Sequence, residues 1–347
     1  MKRIVLTGGG TAGHVTPNLA ILPLLRQEGW EVLYIGSENG IEKKLIEAEG
    51  VPYYSIPTGK LRRYLSRQNI TDMFRVVKGV SEATKLLKKL KPDLVFSKGG
   101  FVAVPVVLGA KKNKIPVIIH ESDITPGLAN KIAMPFAKTV CTTFPETLKY
   151  VPKEKGIHTG TPIRAELFKG LEICGFDGTK PVLLQMGGSL GAVKLNDALR
   201  ESLPSLLKDF DIIHLCGKGH KEESLEGTKG YRQFEYVTDE LADLFAATDV
   251  IIARAGSNSI SEFLALKKPH LLIPLSAKAS RGDQILNAAS YEKRGFAMVL
   301  PEEELTAATM EEKVRELYAN RETYIAAMEK STQNNGVEAV MSLIRQF

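Results

Sequence analysis

Three stretches of this 347-residue chain combine residue types and spacings suited to chemistry on an anionic ligand. The first is Thr7-Gly8-Gly9-Gly10-Thr11-Ala12-Gly13-His14, which follows the apolar run Ile4-Val5-Leu6 and precedes a helical pattern near Pro17. Glycines let backbone approach an anion, and the helix start adds N–H groups and a positive dipole end. Gly8, Gly10 and Gly13 meet the G-x-G-x-x-G spacing of a dinucleotide fold, so a dinucleotide and another phosphate ligand both fit. His14 stands where loop meets helix, and its unperturbed pKa of about 6.5 suits proton exchange. The second stretch runs from Asp249 to Glu262. A buried strand is expected to end at Arg254, and a small-residue turn then opens a helix. Ser257, Asn258 and Ser259 are expected to cap that helix and offer amides to a diphosphate. Glu262, expected on its first turn, can accept two hydrogen bonds from a ribose diol. The alternative is a plain capping box, with Ser259 as cap and Glu262 three residues on. The third stretch, Arg281-Gly282-Asp283-Gln284 to Asn287, places Gln284 and Asn287 on one helix face. Asp283 there also reads as an ordinary helix N-terminal charge.

These residues need a frame. Apolar runs predict strands at 3–7, 31–35, 53–56, 93–97, 117–120 and 139–142, with helical patterns between them. The runs are continuous rather than alternating, as in a parallel sheet covered on both faces. The pattern restarts at Pro181–Gln185, followed by a further glycine turn, Met186-Gly187-Gly188-Ser189-Leu190-Gly191-Ala192, and a helix over 194–207. Strands at 211–215, 250–253, 270–273 and 298–300 follow, with helices at 239–247, 259–266 and 283–293; residues 307–347 read as helix only. The fold class is therefore α/β, with two doubly wound Rossmann-like domains facing across a cleft. The predicted domains are residues 1–163, 164–325 and a C-terminal helix, 326–347, that packs back on the first domain. Both glycine turns fall at carboxyl ends of strands, where ligands bind in open α/β sheets. The acidic ribose partner of a dinucleotide site is misplaced, because Glu38 already lies beyond the second strand. That weakens the dinucleotide reading.

Composition narrows the class. The chain is 44% hydrophobic and 25% charged, which is globular, and its net charge is +6. Residues 1–163 hold 24 Lys+Arg against 13 Asp+Glu, and residues 164–347 hold 22 against 27. The basic first half points to an anionic partner. Cys141, Cys174 and Cys216 are scattered and odd in number, and no signal-peptide pattern opens the chain, so a reducing cytoplasm is expected. No apolar run approaches the ~20 residues of a membrane span. Residues 60–91 carry ten Lys+Arg against two Asp+Glu, with Leu61, Tyr64, Leu65, Met73, Phe74, Val76 and Val77 interleaved. Such a segment reads as binding an anionic membrane surface, against the alternative of a solvated helix with its apolar residues turned to the core. No nucleic-acid motif accompanies it.

Taken in order, these motifs resemble glycosyltransferases of the glycosyltransferase-B fold. The likeness rests on Gly9-Gly10-Thr11-Ala12-Gly13-His14, Lys98-Gly99-Gly100-Phe101, His120-Glu121-Ser122-Asp123 with Pro126–Lys131, Gly160-Thr161-Pro162-Ile163-Arg164, Gly187–Ala192 and the 249–287 run. Within that fold the pattern is similar to the enzymes that add N-acetylglucosamine from UDP-GlcNAc to lipid I, the undecaprenyl-diphosphate-linked acceptor, to give lipid II. The resemblance implies that Glu262 holds the ribose, that Ser189 and the Ser257–Ser259 turn hold the diphosphate, that Arg164 adds positive charge, that Gln284 meets the sugar and that backbone near Thr238 meets the uracil. It assigns donor contacts to Thr11, Ala12, Gly13 and Asp123 as well, and acceptor or diphosphate contacts to Gly10, Thr11, Gly13, His14, Gly99 and Gly100. Ala12, Ser122-Asp123, Thr161 and Asp283 depart from the family pattern.

The implied reaction is inverting transfer, which needs a base for the acceptor hydroxyl and positive groups for the departing diphosphate. His14 is the first candidate base, with Asp123 and Glu121 as alternatives; His14 could also be a polar contact without proton transfer. No cofactor or metal is called for. The D-x-D at Asp209–Asp211 precedes a strand, at the wrong sheet edge, and His158, His214 and His270 read as structural. A peripheral enzyme on the cytoplasmic face of the membrane is the expectation. The rivals are a UDP-sugar enzyme with another lipid acceptor, a UDP-sugar epimerase, and a non-catalytic UDP-sugar- or lipid-binding paralogue.

Overall fold

The computed structural model describes residues 1–59, 67–172, 174–188, 191–238, 240–278, 280–331 and 335–347. The chain forms two compact units, one of residues 1–164 with 335–347, the other of residues 165–334.

In the first unit the apolar runs become β1 (Arg3–Thr7), β2 (Glu31–Gly36), β3 (Tyr53–Ser55), β4 (Leu94–Ser97), β5 (Val117–Glu121), β6 (Thr139–Thr142) and β7 (Gly156–His158). They pair in parallel in the order β3-β2-β1-β4-β5-β6-β7. The connecting helices are α1 (Thr16–Gln27), α2 (Ile41–Ala48), α3 (Arg67–Leu90), α4 (Ala103–Lys112) and α5 (Leu128–Ala133). Side chains alternate across the sheet, so Ile4 and Leu6 join Ile21, Leu25 and Trp30 on one face. Val5 joins Leu87, Val106 and Val107 on the other. Both faces are thus covered, and the strands can be apolar throughout. The C-terminal helix α12 (Val337–Ile344, numbered after the helices below) inserts Val340, Met341 and Ile344 into the first of these faces. Arg345 fastens it to Glu28 on α1's C-terminal end at 2.6 Å.

The second unit repeats the design with β8 (Val182–Met186), β9 (Asp211–Leu215), β10 (Tyr231–Phe234), β11 (Val250–Ala253), β12 (His270–Leu272) and β13 (Ala297–Val299). The strands are again parallel, in the order β10-β9-β8-β11-β12-β13. Its helices are α6 (Val193–Leu206), α7 (Leu241–Ala247), α8 (Ser257–Ala265), α9 (Asp283–Lys293), α10 (Ala307–Ala319) and α11 (Arg321–Glu329). Leu195, Leu199 and Leu203 of α6 and Met310, Val314 and Leu317 of α10 pack on Leu183, Ile212 and Ile252 of the sheet.

Two strands escaped the pattern reading, and both are sheet edges. β7 is three residues long, and β10 alternates exposed Arg232 with buried Tyr231 and Gln233. Neither presents the continuous apolar run of a central strand. The helical pattern between the fifth and sixth apolar runs gives only a short helix: Pro135 has no N–H to continue α5, and residues 134–136 tighten into a 3-10 turn. The Asp209–Asp211 pair sits at the amino edge of β9, with Asp209 bound to Arg315 at 2.9 Å.

His214 and His270 are buried in the second unit. His214 Nδ1 lies 2.7 Å from the Tyr231 hydroxyl, and its Nε2 lies 2.9 Å from Asn196 Oδ1. His270 stacks among Phe263 and Tyr291, with Nδ1 2.7 Å from the Lys268 carbonyl. Burial pushes His270 from 6.5 down to about 4, so the fold holds it neutral. The unfolded chain takes up this proton below about 6.5, whereas the native state resists until about 4. Native stability is therefore full above that window and is lost as pH falls through it. The shift is worth about 3 kcal/mol. Urea denaturation at pH 7 and pH 4 is expected to show that much extra acid loss in the wild type relative to His270→Phe. Equal losses would refute the assignment.

Candidate active site

In each sheet the strand order reverses direction next to the first strand, between β1 and β4 and between β8 and β11. That switch point opens a crevice at the carboxyl edge.

In the first unit the loops after β1, β4 and β5 meet there. Gly100 has a φ of +80°, and a Cβ on it would run into the Gly9 carbonyl, so the two glycine loops touch backbone to backbone. Tyr34 donates to the Gly8 carbonyl at 2.7 Å, and Asn18 donates to the Tyr34 hydroxyl at 3.2 Å. Beneath the loop lies Glu42, fully buried on α2. Its carboxylate accepts from Gly10 N at 3.2 Å, from Ser37 N at 3.1 Å and from the Ser37 hydroxyl. This corrects one expectation. The Gly10 amide, expected to face a diphosphate, is turned inward to a carboxylate. Thr11 is exposed, while Ala12, Gly13 and His14 form a half-buried 3-10 turn. His14 Nδ1 lies 3.0 Å from Thr11 Oγ1. When Nδ1 carries the proton and donates it to Thr11, Nε2 becomes the basic nitrogen.

The β5 loop also departs from expectation. Glu121 was a candidate base, yet it is buried and its oxygens accept from Asp123 N at 3.0 Å, Gly127 N at 3.1 Å and Asn130 Nδ2 at 2.8 Å. With its acceptor sites committed to the loop, it is a clamp rather than a base, although burial holds its carboxyl above the usual range. Asp123 is half-buried at the rim, and its carbonyl accepts from Thr147 at 3.1 Å. Asn130 also packs against Gly99. Lys98 is fully buried between the loops and donates from Nζ to His120 Nδ1 at 2.9 Å and to Ser122 Oγ at 2.6 Å. Arg164, the last residue of this unit's first segment, is half-buried with its Nε unpartnered.

In the second unit a cavity of about 380 Å³ opens at the β8–β11 switch point. Gly187, Gly188, Gly191, Arg254, Gly256, Ser259 and Gln284 are among the residues that line it. Gly191 has a φ of +76° and lies against the Cys216 carbonyl, where a Cβ would not fit. The helix start differs from expectation. Gly256 is the N-cap of α8, no side chain caps it, and Ser257, Asn258 and Ser259 are its first three residues. Ser259 is therefore no cap, the capping box is excluded, and Glu262 stands on the second turn instead of the first. An uncapped helix start with its positive dipole end borders the cavity, as anion sites require. Gln284 accepts from Leu275 N at 3.0 Å, which fixes its amide at the cavity wall. Asn287 instead turns inward to the Ala255 carbonyl at 3.2 Å, and Asp283 pairs with Arg281 at 2.5 Å. Arg254 forms a buried ion pair with Glu302 and donates to the Ile273 carbonyl at 3.0 Å. Glu302 also accepts from Ser276 N at 3.1 Å, so the pair ties together three loops of the cavity. Arg254 holds the Glu302 carboxyl below its usual range despite its burial. Thr238 is exposed three residues before α7, its carbonyl accepting from Leu241 N, and is not among the cavity's lining residues. Ser189 lies outside the described residues.

Sequence reasoning gave no role to Glu42, Lys98, Asn130 or the Arg254–Glu302 pair. Only Glu42 carried a local signal: it lies four residues before Ile46, on the buried face of α2.

Comparison with known proteins agrees with this geometry. Residues 4–142 match the glycosyltransferase family 28 N-terminal domain, and residues 182–344 match the family 28 C-terminal domain. A UDP-N-acetylglucosamine–N-acetylmuramyl-(pentapeptide) pyrophosphoryl-undecaprenol N-acetylglucosamine transferase of Lachnospira eligens is 60% identical over 99% of both chains. The transferase of that name from Clostridium tetani is 58% identical over all of this chain and 98% of its own. The crystal structure of Acinetobacter baumannii MurG is 28% identical, covers all of both chains and superposes with a TM-score of 0.79. By two domain matches spanning most of its length, and by full-length relatives at this identity, the chain belongs to glycosyltransferase family 28.

Proposed function

We propose that this protein transfers N-acetylglucosamine from UDP-GlcNAc to lipid I, forming lipid II for peptidoglycan synthesis. The observation that carries the reading is full-length identity of about 60% to transferases so named. The cavity at the β8–β11 switch point supports it, since glycine-loop backbone and the start of α8 line it. The UDP part of the donor occupies that cavity. The α8 start and the Gly187–Gly191 loop, with Ser189, take the diphosphate, Glu262 takes the ribose diol, Gln284 takes the sugar, and backbone near Thr238 takes the uracil. Arg164 supplies further positive charge to the leaving group. The acceptor diphosphate meets the first unit's loops at Thr11, Gly13, Gly99 and Gly100. The acceptor hydroxyl attacks C1 of the donor sugar as the C1–oxygen bond to UDP breaks. His14 Nε2 takes the hydroxyl proton, with Thr11 fixing the ring; Asp123 is the alternative base. UDP leaves with the bonding pair, and helix amides stabilise its added charge.

The enzyme works at a membrane surface. Among the described residues no helix is long and apolar enough to cross a membrane. On α3, Phe74 is 72% and Val77 64% exposed, beside exposed Arg75 and Lys78. The core face of that helix is instead made by Ala83, Leu87 and Leu90. Apolar residues turned outward among cations are what an anionic lipid surface attracts. Arg62 and Arg63 of the same basic segment lie outside the described residues. Peripheral attachment to the cytoplasmic leaflet, where lipid I is presented, follows from this reading.

Transfer from UDP-GlcNAc to a lipid I analogue, with UDP-glucose as control donor, tests the function; tight donor binding without transfer would favour a binding paralogue. His14→Ala is expected to lower kcat by about 10²-fold or more with UDP affinity little changed. A loss below tenfold would move the base to Asp123. Glu262→Ala is expected to weaken UDP-GlcNAc binding about 10–100-fold by calorimetry, the range for lost hydrogen bonds to a charged group. Unchanged affinity would remove its ribose role. Phe74→Ser with Val77→Ser is expected to reduce sedimentation with phosphatidylglycerol vesicles while leaving transfer to a soluble acceptor analogue intact. Undiminished sedimentation would reject the surface.

A further inference from the structure

Lys98 is 1% exposed, yet among the described residues no carboxylate lies within ion-pair distance of it. Its two partners, His120 Nδ1 and Ser122 Oγ, are both neutral acceptors. His120 in turn donates from Nε2 to the Gly160 carbonyl at 2.8 Å, and burial beside Lys98 keeps its imidazole neutral. A desolvated cation with only neutral hydrogen-bond partners is costly, and an apolar side chain of the same length would avoid that cost. The sheet does not need the lysine. β4 and β5 are already in register through Ser97 and Ile119, and Lys98 lies one residue beyond that ladder. What it does touch, through Ser122, is the Ser122-Asp123 turn, one of the places where the sequence departs from the pattern that the resemblance implies. Glu121 holds the inner side of this turn through Asp123 N and Gly127 N. Among the described residues only Lys98 grips Ser122, and a serine hydroxyl is short enough to leave room for the ammonium.

We infer that Lys98 is a positioning residue for the transfer reaction: gripping Ser122 from below while leaning on His120, it fixes the Ser122-Asp123 turn in the conformation that the substrates meet. The inference rests on the proposed transferase reading. Burial also pushes the Lys98 amine down to about 8, with the charges of Glu121 and Asp123 pulling the other way.

The test compares Lys98→Met, Ser122→Ala and the double variant with wild type. The readouts are transfer to a lipid I analogue, UDP affinity by calorimetry, and Tm. Lys98→Met is expected to lower kcat about tenfold or more, the scale of a misplaced reacting group, with donor affinity within about twofold. Its Tm is expected to hold or rise, which a merely structural residue would not allow. Ser122→Ala is expected to lower kcat by a smaller factor, and the double variant to be no worse than Lys98→Met, because one contact carries both effects. A Lys98→Met enzyme within twofold of wild type, or losses that multiply in the double variant, would overturn the inference. Should Lys98→Met fail to fold, Ser122→Ala decides the matter, since it keeps the Lys98–His120 bond. It must lose rate, and Ser122→Thr, which restores the hydroxyl, must recover it; an unimpaired Ser122→Ala overturns the proposal. Wild-type protein without transfer would overturn the reaction reading and this inference together. Active wild type with unaffected variants would overturn the inference alone.

Discussion

A parallel sheet covered on both faces leaves no room for exposed polar chemistry except along its carboxyl edge. In both units the strands are parallel throughout and the central ones are buried on both sides, so ligand-facing groups are displaced to the loops beyond Thr7, Ser97, Glu121, Met186 and Ala253. Those loops must then crowd together at the switch points. The crowding explains the glycines: Gly100 lies on the Gly9 carbonyl, and Gly191 lies on the Cys216 carbonyl. A side chain at either position would push apart the segments that form the crevice. Close backbone approach is thus the constraint, and the glycine-rich motifs are its signature in sequence.

The crowded loops also have polar needs of their own, and these compete with any ligand. Glu42 takes the Gly10 amide, and Glu121 takes the amides of Asp123 and Gly127. Each is a buried carboxylate satisfied by backbone donors, which stiffens a loop while removing donors from the anion site. The first unit's loops therefore cannot act as a plain nest of amides. In the second unit Arg254 is neutralised by Glu302, so the cavity's one lining arginine contributes order more than attraction. On the proposed function, the positive potential that this unit offers a diphosphate comes from the uncapped start of α8. A fixed dipole at that place needs no reorganisation as charge develops on the leaving group.

Legibility in the sequence followed the range of the interactions. The central strands, the glycine loops and the helices bearing Glu262 and Gln284 were readable because periodicity and turn chemistry are local. The start of α8 was misjudged because Ala255-Gly256-Ser257-Asn258-Ser259 offers several good caps, and residue type alone does not choose among them; the structure uses Gly256. Short edge strands β7 and β10 lack the buried run that marks a central strand. Lys98 was beyond reach for a different reason. Its partners lie 22 and 24 residues away on another strand's loop, and a lysine beside two glycines gives no sign that the fold will bury it. Glu121 was misread for the same reason in reverse: its residue type suits a base, and only the fold reveals three donors closing on it.

The charge asymmetry gains meaning from this division. Residues 1–163 are basic and residues 164–347 are acidic overall, yet the nucleotide is assigned to the acidic unit. A net-charge argument alone would have put it in the other. A small diphosphate held in a cavity responds to donors within a few ångströms, so a helix start outweighs distant carboxylates that salt largely screens. An extended lipid surface has no single site to fill and responds to the summed charge of everything that faces it. On the proposed function, the outward-turned Phe74 and Val77 of the basic unit serve a lipid surface, and the start of α8 in the acidic unit serves UDP.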